Sequence, residues 1–79
     1  MNIDEALRKR ILELVAQNNT TLTALCLESN LTPSTIFDFM VGKSKCPKVI
    51  TIKKLCMGAN IKLRDFFDRD YFDDIDDIL

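Results

Sequence analysis

The chain has 79 residues, 47% hydrophobic and 29% charged, a balance that excludes a disordered protein and fits one small globular domain. No run of about 18 apolar residues occurs, which argues against a membrane span. The formal net charge of -1 hides an asymmetry, since residues 1–59 sum to +3 and residues 60–79 to -4.

The opening MNIDEALRKR mixes acids with bases and has no apolar stretch behind it, so no secretory signal is expected and a cytoplasmic location is. Cys26, Cys46 and Cys56 form an odd set without a CxxC pair, and the chain has no histidine; neither a disulfide framework nor a common zinc pattern is expected. Cys26 and Cys56 read as small core residues. Cys46 falls in a loop, and a redox role there would need a lowered thiol pKa, to which Lys45 and Lys48 are the pointers.

Taken in order, the chain reads as helices throughout. Asn2 is placed to cap a first helix, and Glu5, three residues on, closes a capping box. Ile3, Leu7, Ile11 and Leu14 then recur on one face, widened by Leu12 and Val15, while Arg8, Lys9 and Arg10 lie mostly off it and read as solvated. Asn18-Asn19 stop that helix, because Asn tolerates left-handed backbone. Thr21 caps a short second helix with Leu22, Leu25 and Cys26 inward, and Asn30 supplies a turn before Leu31 re-enters the core. Thr32 caps a third helix with Pro33 at its first position and Ile36, Phe39 and Met40 inward, and Gly42 ends it.

The polar loop GKSKCPK follows. A fourth helix carries Val49, Ile52, Leu55, Cys56 and Ala59 on one side and ends at Gly58 and Asn60; Leu63, Phe66 and Phe67 supply further bulk. Tyr71, Phe72, Ile75, Ile78 and Leu79 recur at helical spacing among Asp70, Asp73, Asp74, Asp76 and Asp77, which predicts an amphipathic helix with an acidic outer face. No strand pattern appears, so the fold expected is all-α.

RILELVAQNNTTLTALCLESNLTPSTIFDFMVGKSKCPKVITIKKLCMGANIKLRDFF resembles the lambda-repressor-like helix-turn-helix domain of the Cro/phage-repressor (XRE) regulators, over roughly residues 8 to 68. The marks are Leu25-Cys26, Asn30-Leu31, Ser34-Thr35-Ile36 and Gly42-Lys43, followed by TIKKLC and IKLRDFF, in the family's order. The resemblance implies a five-helix DNA-binding domain over residues 1–69, its helix-turn-helix at about 22–41, and an acidic tail over 70–79. It also implies that the helix starting near Pro33 enters the major groove, about 12 Å wide. Base contacts then fall to Pro33, Ser34, Thr35, Phe37 and Asp38, beside Thr32. Backbone phosphate contacts fall to Thr21 and Thr23 and to Lys43, Ser44, Lys45 and Lys48.

Departures from the family pattern are visible. Leu22 stands where Gln is frequent, Asn30 replaces Gly, Cys26 replaces Ala, and the groove face offers Pro33, Phe37, Asp38 and Val41 instead of amides and cations. For Phe37 and Asp38, base contact, a local structural role and a protein interface all remain open. For the lysines, a solvated face is the alternative to phosphate clamping.

A single reading helix is too short to find an operator, so a homodimer on a palindromic double-stranded DNA operator is expected. The tail, with Tyr71, Phe72, Ile75, Ile78 and Leu79, is either the dimer surface or a piece of its own domain's core. The function expected is a sequence-specific transcriptional regulator, a repressor in its simplest form. The alternatives are a protein-interaction module and an antitoxin-like protein partner on the same scaffold. No cofactor, metal or enzymatic activity is expected, since neither a nucleophile–base pair nor a nucleotide-binding loop is present.

Overall fold

A computed structural model describes residues 1–76. The chain runs through five α-helices, α1 (Ile3–Gln17), α2 (Leu22–Glu28), α3 (Pro33–Met40), α4 (Val49–Gly58) and α5 (Leu63–Phe66), then a 3-10 turn, η1 (Asp70–Phe72). The described residues contain no strand.

Helix starts follow local chemistry. The Asn2 side chain accepts from the Glu5 N–H at 2.8 Å, and the Glu5 carboxylate accepts from the Asn2 N–H at 3.2 Å, completing the expected box. The Thr21 hydroxyl accepts from the Ala24 N–H at 3.1 Å at the head of α2. Pro33 is the first residue of α3, where its missing N–H costs nothing.

Helix stops share one device. Asn19, Asn30, Gly42 and Asn60 take φ of 54°, 57°, 83° and 60° after α1, α2, α3 and α4. In each case the next residue's N–H reaches back to a carbonyl five residues earlier: Thr20 to Val15 (3.2 Å), Leu31 to Cys26 (2.9 Å), Lys43 to Asp38 (2.8 Å) and Ile61 to Cys56 (2.9 Å). These are Schellman closures, and they satisfy carbonyls that a helix end otherwise orphans. Leu31 and Ile61 then turn inward against the core.

That core gathers Leu7, Ile11, Leu14, Leu25, Cys26, Ile36, Phe39, Ile52, Leu55, Cys56, Ala59 and Phe66. Cys26 and Cys56 are buried free thiols, as expected, and burial pushes both pKa values up. Gly58 allows close packing of α4 on the end of α2, because a Cβ there would collide with the Ser29 hydroxyl.

Several expectations need correction. Leu12 and Val49 belong to the predicted stripes yet are 55% and 65% exposed, since the buried arcs of α1 and α4 are narrower than their apolar sequence. Phe67 is also partly exposed, at 39%. Arg10 is not on a solvated face: it is 2% exposed, with Nε donating to the Phe66 carbonyl at 2.6 Å and Nη2 to the Asp65 carbonyl at 3.1 Å. Arg8 is half-buried and donates through Nε to the Phe39 carbonyl at 2.9 Å, its guanidinium 4.8 Å from the centre of the Phe39 ring.

The predicted C-terminal helix is absent through residue 76. Tyr71 and Phe72 occupy a single 3-10 turn, and residues 73–76 are turn, bend and irregular backbone. Tertiary partners override the periodicity there. The Tyr71 hydroxyl donates to Glu13 (2.8 Å), and Arg69 donates to the same oxygen (3.3 Å). Phe72 packs with Phe66 and Phe67, ring centres 6.1 and 5.1 Å away, and Asp76 pairs with the Met1 ammonium at 3.1 Å. Of the residues expected at a dimer surface, Tyr71 and Phe72 are engaged within their own domain and Ile75 is half-buried. Ile78 and Leu79 lie outside the described residues.

Candidate nucleic-acid interface

α3 is held by its inner side. Ile36 and Phe39 are each 1% exposed, which fixes the rotation of the helix and turns Ser34, Thr35, Phe37 and Asp38 outward. Pro33 is half-buried at the helix start, and Thr32 stands at the N-cap without a side-chain capping bond, so its hydroxyl is not committed there. Phe37 and Val41 are large exposed apolar residues four positions apart, hence neighbours on one face.

The loop after α3 is tied to it by backbone. Besides Lys43, the Ser44 N–H donates to the Asp38 carbonyl, at 3.3 Å, so Lys43 and Ser44 are anchored beside the C-terminal end of α3. Lys43, Ser44, Lys45 and Lys48 are all exposed. Among the described residues, none of their side chains, nor those of Ser34, Thr35 and Asp38, makes a hydrogen bond or ion pair within the chain.

Thr35, Ser44, Lys45 and Lys48 come together around a cleft of about 360 Å³ between α3 and α4, with Cys46, Pro47 and Thr51 completing the rim. Phe37, Asp38 and Lys43 lie outside it. Thr21 and Thr23 are exposed at the head of α2, with the Thr21 hydroxyl oxygen already accepting in the cap. Cys46 is exposed, but burial and then the nearby Asp4 carboxylate push its thiol pKa up, the opposite of what a reactive thiolate needs.

The resulting surface presents hydroxyls, one carboxylate and an apolar ridge on α3, with three lysines beside them. Sequence reasoning missed Arg8 as a support for this surface. Its guanidinium both donates to a carbonyl near the end of α3 and covers the Phe39 ring, joining α1 to the exposed helix. The unmet carbonyls at any helix C-terminus were the available signal.

The crystal structure of the prophage Lp1 protein 11 is similar to this chain with a TM-score of 0.78 and 33% sequence identity, covering 87% of this chain and 92% of that one. The chain belongs to the family of prophage Lp1 protein 11. No protein-family model matches the chain, and no curated protein does. Membership in the prophage protein's family agrees with the all-helical architecture described above. No helix among the described residues is long and apolar enough to cross a membrane.

Proposed function

We propose that this chain is a sequence-specific DNA-binding regulator of the lambda-repressor-like, Cro/XRE type, placing α3 in the major groove of a double-stranded operator. The observation that carries the reading is α3 itself: its inner side is locked by Ile36 and Phe39, and among the described residues its outer polar groups and the three lysines beside it have no side-chain partners. An exposed lysine with no internal partner contributes little to stability, whereas its field attracts phosphate. Ser34 and Thr35 supply hydroxyls for base edges or phosphates, and Lys43, Lys45 and Lys48 clamp the backbone.

The regulator works as a dimer on a palindrome, in the cytoplasm, as a binding protein and not an enzyme. Repression follows from occupying an operator. Because Tyr71 and Phe72 are engaged in their own domain, the second copy docks on other surfaces or on the residues that follow them.

A second reading has one observation in its favour. Phe37 and Val41 give α3 an apolar, partly acidic face that a protein partner could cover, as in an interaction module or an antitoxin. Selecting bound duplexes from a random pool separates the two. The DNA reading expects a palindromic consensus whose affinity falls steeply with salt, at about -0.9 in log–log slope per phosphate contact. A folded protein that enriches no sequence would discard it in favour of the protein partner.

A further inference from the structure

Resting on the DNA-binding reading above, we propose that α3 recognises thymine through its 5-methyl group, with Phe37 as the specificity-determining residue. The major groove distinguishes bases by chemistry that α3 only partly possesses. Guanine is read through two acceptors by Arg or Lys, and adenine through an acceptor and a donor by Asn or Gln. The helix PSTIFDFM holds no Arg, Lys, Asn or Gln. What it turns outward is Ser34, Thr35, the Phe37 ring and Asp38, with Val41 one turn beyond Phe37.

An apolar side chain has one specific partner in that groove, the thymine methyl. Phe37 is 41% exposed and Val41 67%, so together they form a ridge able to cover a methyl group and exclude water from it. The Val41 N–H donates to the Phe37 carbonyl at 3.0 Å, which holds the two in register. Asp38 narrows the choice further. Its exposed carboxylate accepts hydrogen bonds only, so it tolerates the amino groups of cytosine or adenine and is repelled by the paired acceptors of guanine. The half-site implied has thymine under Phe37 and an amino-bearing base near Asp38, while affinity comes from the lysines.

The test replaces each thymine of the selected duplex, in turn, by deoxyuridine, which keeps every hydrogen-bonding group and lacks only the methyl. At the position under Phe37, the folded full chain should bind about fourfold more weakly per half-site, the equivalent of one buried carbon or about 0.8 kcal/mol. Phe37→Ala, checked for folding by circular dichroism, should bind thymine and deoxyuridine equally there and keep the salt slope. Sequence-specific binding that ignores every deoxyuridine overturns the thymine inference alone, as does a Phe37→Ala variant that still discriminates. Failure to enrich any duplex overturns this inference together with the DNA reading beneath it.

Discussion

Where α1 meets the C-terminal segment of residues 65–76, a group of charged side chains pairs with the chain itself; beside α3 the lysines are left over. Glu13 alone receives Arg10 (3.5 Å), Arg69 (3.3 Å) and the Tyr71 hydroxyl (2.8 Å), while the Lys9 ammonium sits 4.6 Å from the centre of the Tyr71 ring. Lys43, Lys45 and Lys48 have no such partners among the described residues. Groups paired inside the fold act on stability, and unpaired surface charges act on what approaches. Breaking either region should therefore move one observable and spare the other.

The largest effect is expected at Arg10. Arg10→Ala removes the long pairing with Glu13 and two charge-assisted bonds to backbone, and leaves the Asp65 and Phe66 carbonyls without their donor inside the fold. A loss of about 3 kcal/mol is expected in urea unfolding, with Tm lower by about 12–24 °C. On the DNA reading, the folded fraction should bind DNA as before. An Arg10→Ala protein of unchanged stability would show that anchoring α5 to α1 through Arg10 adds nothing to the fold.

Arg10 also marks where local sequence stops specifying structure. The capping box of Asn2 and Glu5, the Thr21 cap, Pro33 at a helix start and the stops at Asn19, Asn30, Gly42 and Asn60 were all legible, because each is a signal within a few residues. Arg10 stands in an Arg-Lys-Arg run that looks solvated, and its acceptor lies 56 residues away. The tail failed for the same reason. Its helical spacing is real, but Phe66, Glu13 and the Met1 ammonium pull Phe72, Tyr71 and Asp76 out of a helix. At the candidate site the exposed residues of α3 were readable from their period, whereas the cleft joining Thr35 to Ser44, Lys45 and Lys48 depends on how α3 meets α4.

The opposite dissociation is expected when Lys43, Lys45 and Lys48 are changed to Ala together. Stability should stay within about 0.5 kcal/mol, since none has an internal partner among the described residues. On the DNA reading, anisotropy should show weaker binding to every sequence and a salt slope smaller by about 2.7 per chain. A triple variant that binds normally with an unchanged slope would remove the lysines from the interface and leave the comparison without its second half.

The smallest effect belongs to Tyr71, where it can be read without ambiguity because it is the chain's one tyrosine and there is no tryptophan. Burial, then the hydrogen bond and the charge of Glu13, push its phenol from 10.0 up to about 12. The folded chain thus holds the phenolic proton more tightly than the unfolded chain. The stabilisation is whole below about pH 10 and is lost as the pH rises through about 12. Spectrophotometric titration of the phenolate should show the folded midpoint well above that in denaturant. Tyr71→Phe should cost less than about 1 kcal/mol at neutral pH, the side chain being only half-buried, and should remove this part of the alkaline loss. A folded-state midpoint at the ordinary tyrosine value would mean that Tyr71 does not hold Glu13 in solution. Pairing at the C-terminal segment would then reduce to Arg10 and Arg69 on Glu13 and to the Met1–Asp76 pair, and the contrast with α3 would rest on those.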